Sequence, residues 1–113
     1  MNKVGIIGGM GPMATVDLYS KIVSQTPAAC DQEHIPVLID VVPQIPDRTA
    51  YLLGNGQSPV PLMQESAIRL AEKGVSAICM PCNTAHAFVG SLREQISVPF
   101  LSCLLYTSDA ADD

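Results

Sequence analysis

The residues best suited to chemistry in this sequence are Cys82, Asn83 and Thr84. They follow an apolar run at 77–80, typical of a short buried strand, and Pro81, which ends such a strand because proline has no N–H to donate. Open α/β sheets bind ligands just outside the carboxyl ends of their strands, where these residues fall. We also predict that a helix begins here, and the free N–H groups of its first turn favour the thiolate form of Cys82. The neighbouring amide and hydroxyl are suited to holding a carboxylate, so the pattern predicts an active-site turn.

Arg48 is a second candidate for binding a ligand. It lies in the segment 43–49, which directly follows a predicted strand and is too rich in proline to favour a helix. If this loop reaches the same sheet edge as Cys82, its planar guanidinium can hold a carboxylate through two hydrogen bonds. The competing interpretation is a surface arginine paired with a nearby acid, which is the commoner outcome for arginine in general.

The glycine-rich segment after the first strand matches a nucleotide-binding pattern only weakly. Gly9, Gly11 and Ala14 fit G-x-G-x-x-A, but Pro12 removes one N–H from the anion-binding turn. Asp40, the acid that would bind the ribose, comes later than the fingerprint requires. A tight turn that lets a small anionic ligand approach the backbone is therefore favoured over nucleotide binding.

The cysteines next to this site allow two further interpretations, a redox pair and a metal site. Cys79 and Cys82 have C-x-x-C spacing, but Cys79 lies within the apolar run, where we expect it to pack as a small hydrophobic residue. Zinc ligation by Cys79, Cys82 and His86 lacks a fourth ligand at a recognisable spacing, so no metal site is predicted. His86 is either a residue that orients the helix start or a solvated helix residue, and both alternatives stay open.

The elements that must position these residues alternate between strand and helix. Strands are predicted at 3–8, 36–42, 77–80 and 98–101, and helices at 13–24, 61–73 and 84–95. Such alternation predicts an α/β fold with a parallel four-stranded sheet, right-handed crossovers and helices on both faces. We assign residues 1–102 to this single domain.

Composition limits the partners of the protein. The chain has 113 residues, of which 48% are hydrophobic and 15% charged, and its net charge of -5 argues against nucleic acid or an acidic membrane as a partner. No apolar run approaches the ~20 residues of a membrane span, and the N-terminus lacks a signal-peptide pattern. We therefore expect a cytoplasmic protein whose four cysteines stay reduced.

Three motifs, taken in order, resemble the aspartate/glutamate racemase family: GIIGGMGP at 5–12, PQIPDRT at 43–49 and MPCNTAH at 80–86. Members of that family are cofactor-independent amino-acid racemases, typically homodimers, with two similar α/β domains that face one another across the active site. The resemblance implies that the substrate is a small amino acid and that Cys82 is one of two catalytic cysteines. It also implies a proton-transfer route with no cofactor, and no lysine motif for pyridoxal phosphate is evident.

The resemblance further assigns the substrate pocket. It implies that the pocket is lined by Met10, Gln44, Arg48, Asn83 and Thr84. Within this set, Arg48 would hold the side-chain carboxylate of the substrate.

The resemblance does not extend to a second domain or to a second catalytic cysteine. The resemblance covers residues 1–102, one domain of the two, and the second catalytic cysteine belongs to the other domain. Cys103 cannot replace it by sequence position. Residues 103–113 resemble a translated adapter sequence, with an ordinary frayed acidic terminus as the alternative. We expect the chain to be the N-terminal half of such a racemase.

A non-catalytic module remains as an alternative from another functional class. It would bind a small dicarboxylate through the Gly9 turn, Arg48 and Asn83. The sequence does not decide between aspartate, glutamate and related substrates.

Overall fold

The structure, a computed structural model, describes residues 2–82 and 84–101. Its centre is a three-stranded parallel sheet in the order β2-β1-β3. The strands are β1 (Val4–Gly8), β2 (Val37–Val41) and β3 (Ala77–Cys79). The helices are α1 (Pro12–Gln25), α2 (Arg48–Leu52), α3 (Val60–Glu72) and α4 (Val89–Arg93), with 3-10 turns at Asp31–Glu33 and Thr84–Phe88. None of the described helices is long and apolar enough to cross a bilayer.

The central strand β1 sets the geometry of the site. Its residues Ile6 and Ile7 are fully buried, as expected for a parallel strand covered on both faces. In the parallel register Ile6 is the partner of Ile39 in β2 and of Cys79 in β3. The carboxyl ends of all three strands therefore meet at one edge, and the segments that follow them lie side by side.

Helices cover both faces of the sheet, as predicted. Side chains alternate along a strand, so positions 5 and 8 face opposite sides. A Cβ atom at Gly5 would lie 3.2 Å from Leu70 of α3, whereas one at Gly8 would lie 2.7 Å from Thr15 of α1. α3 and α1 therefore pack on opposite faces, and glycine at these two positions allows their close approach to β1.

The predicted four-stranded sheet is wrong, since the sheet formed by residues 2–82 and 84–101 has three strands. At the fourth position a single parallel bridge joins Phe100 to Ile78. Ile78 donates its N–H to the carbonyl oxygen of Pro99 (2.9 Å) and accepts from the N–H of Leu101 (2.8 Å). Pro99 has no N–H, and Pro81 ends β3 soon after Cys79, so the ladder does not lengthen within the described residues.

Two predicted segments also differ in their helical structure. The helix expected over 84–95 is a 3-10 turn at Thr84–Phe88 followed by the short α4, and the segment around Arg48 contains a helix that the prolines had argued against. The boundary predicted at residue 102 and the tail at 103–113 lie outside the described residues.

Candidate active site

The Cys82 sulfur lies at the carboxyl edge of the sheet, where its thiolate is stabilised. The side chain is half-buried, and its Sγ lies 3.0 Å from Oγ1 of Thr84. Burial alone would raise the pKa of this thiol. The Thr84 hydroxyl, the N–H of Ala85 and the guanidinium of Arg48 together outweigh burial, so the pKa lies below its ordinary value. The sulfur is therefore suited to act as a nucleophile or as a base.

The predicted helix N-terminus is a 3-10 turn, and it accounts for only part of the stabilisation of the thiolate. Thr84–Phe88 is a five-residue 3-10 turn, too short for an appreciable macrodipole at its start. Its first N–H groups act individually: Ala85 donates to the Cys82 carbonyl oxygen (3.2 Å) and also lowers the pKa of the thiol. The predicted lowering of the pKa agrees with the structure, and its cause is confirmed in part: one N–H of the first turn contributes, and the side chains of Thr84 and Arg48 contribute the rest.

Arg48 is the first residue of α2, and its side chain extends from there to the site. The carboxylate of Asp47 caps this helix by accepting hydrogen bonds from the N–H groups of Thr49 (3.0 Å) and Ala50 (3.4 Å). The prediction of a loop at Arg48 was therefore wrong. The capping role of Asp47 was missed, although an aspartate followed by residues free of proline is a recognised helix-start signal.

The first two edge segments are tied together at Gly9. Its φ is +100°, and a Cβ atom there would lie 2.5 Å from the carbonyl carbon of Val42, so only glycine fits. The N–H of Gly9 donates to Oγ1 of Thr15 (3.0 Å), and the N–H of Ile45 donates to the carbonyl oxygen of Val42 (3.3 Å). This close contact fixes the start of the loop that leads to Arg48.

The other predicted pocket residues have different environments. Met10 is 2% exposed and belongs to the same hydrophobic cluster as Ile45 and Ala85, against which Cys82 packs. Gln44 is exposed on the loop before α2, and Asn83 lies outside the described residues. The structure thus brings Cys82 together with Thr84, Arg48 and the cluster that contains Met10. Substrate contacts for all six residues remain predictions.

Two of the alternative motifs are used elsewhere in the fold. The carboxylate of Asp40 accepts a hydrogen bond from the Ser66 hydroxyl (2.5 Å) and pairs with the Arg69 guanidinium (2.7 Å). It therefore attaches α3 to β2 and is not available to bind a ribose. Cys79 is buried and lines an apolar cavity of about 290 Å³ beneath α1, whereas Cys82 packs against the cluster beneath α3. The two sulfurs of the C-x-x-C pattern therefore lie in different environments.

Among residues 2–82 and 84–101, no three His, Cys, Asp or Glu side chains are grouped as a metal ion would require. His86 is half-buried, and its Nε2 is buried without a hydrogen-bond partner. It is therefore not a fully solvated residue.

A sequence model described as Asp/Glu/hydantoin racemase matches residues 7–112. The chain belongs to this family. Among curated relatives, a broad specificity amino-acid racemase, RacX of Bacillus subtilis (strain 168), is 27% identical over 104 residues, covering 87% of this chain and 44% of that protein. Among solved structures, the aspartate racemase of Picrophilus torridus has a TM-score of 0.80 and 39% identity, over 90% of this chain and 43% of its own. An aspartate racemase homologue from Pyrococcus horikoshii OT3 shares the fold, with a TM-score of 0.70 and 20% identity.

The matches to this racemase family confirm the resemblance seen in the three motifs. They also give its extent: the chain spans less than half of the relatives it matches, namely 44% of RacX and 43% of the Picrophilus torridus protein. The likeness to these two relatives therefore concerns less than half of each relative's chain.

Proposed function

We propose that this chain is the N-terminal half of an amino-acid racemase of the aspartate/glutamate type, in which Cys82 is one of two thiols that move the α-proton. The observation that carries the proposal is the Cys82 sulfur, half-buried at the sheet edge with a lowered pKa. Membership of the family and the likeness to an aspartate racemase support the choice of substrate class.

Racemisation needs a base on one face of the α-carbon and an acid on the other. The Cys82 thiolate takes the α-proton, so an S–H bond forms as the C–H bond breaks, and the electron pair stays on the α-carbon and its carboxylate. A second thiol then gives a proton to the opposite face. We propose that this thiol belongs to a second domain, that the route uses no cofactor, and that the complete enzyme is a cytoplasmic homodimer.

The remaining pocket residues would bind and stabilise rather than transfer the proton. Arg48 is proposed to hold the distal carboxylate through its planar fork. Thr84 and Asn83 would donate hydrogen bonds as charge develops on the substrate carboxylate. Met10 and Gln44 would complete the wall of the pocket on the side of this domain.

Solvent isotope incorporation in the complete two-domain protein tests the proposal. In D2O, L-aspartate should give D-aspartate that carries deuterium at the α-carbon, while unreacted L-aspartate keeps its proton at early times. Cys82→Ser should abolish D-aspartate formation, and the matched control Cys30→Ser, at an exposed position, should not. Deuterium in both isomers at the earliest times would contradict two thiols on opposite faces. Aspartate binding without any turnover would favour the dicarboxylate-binding module.

A further inference from the structure

Two short helical elements carry part of the candidate site. α2 has five residues, and so has the 3-10 turn at Thr84–Phe88. Elements of this length are weakly stable on their own, because few backbone hydrogen bonds offset the cost of ordering them. At the start of the turn, the N–H of Ala85 donates to the carbonyl oxygen of Cys82 (3.2 Å). The positions of both elements therefore depend strongly on how their side chains pack.

An aromatic contact joins the two elements. The ring centroids of Tyr51, in α2, and Phe88, the last residue of the turn, lie 5.9 Å apart, and the ring planes are inclined by 44°. This separation is within the range of favourable aromatic pairs. Phe88 is 6% exposed and belongs to the hydrophobic cluster that includes Met10 and Ile45, whereas Tyr51 is 39% exposed. The Tyr51 ring therefore packs from the surface onto a residue that is anchored in the core.

The backbone of Tyr51 is fixed on both sides of the ring. Its N–H donates to the carbonyl oxygen of Asp47 (3.2 Å), and its own carbonyl oxygen accepts from the N–H of Gly54 (2.9 Å). Asp47 also caps the start of α2 with its carboxylate. These hydrogen bonds limit the movement of the Tyr51 ring, so the ring can restrain the turn that packs against it.

The turn that Tyr51 restrains presents a hydroxyl to the reactive sulfur. Thr84 begins the turn and Phe88 ends it. Oγ1 of Thr84 lies 3.0 Å from Sγ of Cys82. Hydrogen bonds weaken steeply as their angle departs from linear, so they respond to small displacements. A slight shift of the turn would therefore weaken the contact with the sulfur even if the turn stays folded.

We propose that Tyr51 is a positioning residue of this site: its ring, packed on Phe88, holds the turn in the place where the Thr84 hydroxyl contacts the Cys82 sulfur. The ring acts by packing, so the Tyr51 hydroxyl is not required. Tyr51 and Phe88 both lie outside the three motifs that carry the family resemblance. The proposal rests on the proposed function only for the choice of Cys82 as the reacting group.

Alkylation of Cys82 in the 113-residue chain tests this role. Iodoacetamide is neutral and reacts with the thiolate, so peptide-resolved mass spectrometry gives a rate for Cys82 at each pH. The midpoint of that profile is the measured quantity, since the plateau rate also changes with intrinsic nucleophilicity. The other charged or titratable residues of the two elements and the cap of α2, namely Asp47, Arg48 and His86, are unchanged in every variant. Far-ultraviolet circular dichroism confirms that each variant retains the fold.

The variants separate the ring, its hydroxyl and the route to the sulfur. Tyr51→Ala should move the midpoint to higher pH and slow alkylation about threefold at pH values below the midpoint, because the Thr84 contact weakens. Phe88→Leu removes the other ring and should act in the same direction. Tyr51→Phe keeps the ring and should behave like the unmodified chain. In a Thr84→Val background, Tyr51→Ala should add little, since the contact that the ring maintains is already lost.

The matched control is Tyr19→Ala, which removes a tyrosine of similar exposure, 42%, from α1 on the opposite face of the sheet from α3. Its midpoint should equal that of the unmodified chain. A midpoint unmoved by Tyr51→Ala, an equal shift in Tyr51→Phe, or a full further shift in the Thr84→Val background overturns the proposal. An equal shift in Tyr19→Ala also overturns it, because the effect would then be a general loosening of the fold. None of these outcomes depends on turnover, so the proposed function is tested separately.

Discussion

The contact between the Cys82 sulfur and the Thr84 hydroxyl, 3.0 Å long, joins two residues that are only two positions apart. The Thr84 side chain can therefore stabilise the thiolate before any ligand arrives. The sequence showed a polar residue next to a thiol, which predicted reactivity. It did not show that the hydroxyl serves the sulfur directly, because the 3-10 turn that brings them together replaces the expected α-helix.

Replacing Thr84 with valine should raise the pKa of Cys82. A hydrogen bond to a charged group is worth about 1.5–3 kcal/mol, so loss of the hydroxyl should slow alkylation of Cys82 at neutral pH by roughly tenfold or more. The measurement is the rate at which neutral iodoacetamide alkylates Cys82 at each pH, read by peptide-resolved mass spectrometry, and the midpoint of this profile should move to higher pH. Thr84→Ser keeps the hydroxyl and should behave like the unmodified chain. An unchanged midpoint in Thr84→Val would show that the hydroxyl does not stabilise the thiolate.

At the scale of elements, the site depends on how the segments after β1 and β2 contact each other. Gly9 lies against the backbone of Val42 with φ +100°, and no side chain fits there. Gly54 has a similar φ of +83° but open space around it. Alanine substitutions at the two positions therefore distinguish the free-energy cost of the left-handed backbone from that of the steric overlap.

Gly9→Ala should lower the free energy of unfolding by at least about 3 kcal/mol, because strain and overlap add. Gly54→Ala should cost only about 1–2 kcal/mol, the energy of a left-handed backbone alone. Urea denaturation of both variants is the measurement. Equal losses would mean that the turn at Gly9 relaxes away from Val42, and the close contact between the two segments would then not be required for the fold.

A second element-scale prediction concerns the attachment of α3 to β2. Burial raises the pKa of Asp40, but hydrogen bonds from Arg69 and Ser66 outweigh it, so the pKa lies below the ordinary value of 3.8. The carboxylate therefore stabilises the fold above that value, and the contribution is lost as the pH falls through the lowered folded-state pKa. Asp40→Asn should cost about 1–2 kcal/mol at pH 7, since Arg69 is half-exposed.

The difference between Asp40→Asn and the unmodified chain should shrink as the pH is lowered below 3.8. The control is Asp17→Asn, which breaks the exposed pair with Lys21 and should change stability by no more than about 0.5 kcal/mol. Denaturation curves across this pH range provide the measurement. A cost for Asp40→Asn that stays constant with pH would exclude a contribution from the ionised carboxylate.

At the scale of the whole molecule, hydrophobic periodicity predicted the order of elements, the parallel sheet and the edge that carries the candidate site. It failed where single residues decide the outcome. A capping carboxylate on Asp47 starts a helix in a proline-rich segment, and within the described residues the segment around Pro99, which has no N–H, forms one bridge instead of a strand. The proximity of Arg48 to Cys82 depends on contacts between distant segments, which local patterns do not encode.

The extent of the chain is the reason that we expect it to be incomplete as a racemase on its own. It spans 43% of the Picrophilus torridus aspartate racemase. Within the proposed mechanism, Cys82 reaches only one face of the α-carbon, so a second thiol must come from elsewhere. An open half-site also admits water, which weakens the electrostatic stabilisation of a carbanion.

Chiral chromatography of L-aspartate and L-glutamate, incubated with the purified 113-residue chain and separately with the complete two-domain protein, tests the half-site assignment most directly. We predict no sustained formation of either D-isomer by the chain alone, and formation by the complete protein that Cys82→Ser abolishes. Sustained D-isomer formation by the chain alone, lost in Cys82→Ser, would contradict the assignment and imply that two chains pair their Cys82 thiols. Activity of the complete protein that survives Cys82→Ser would contradict the role of this sulfur.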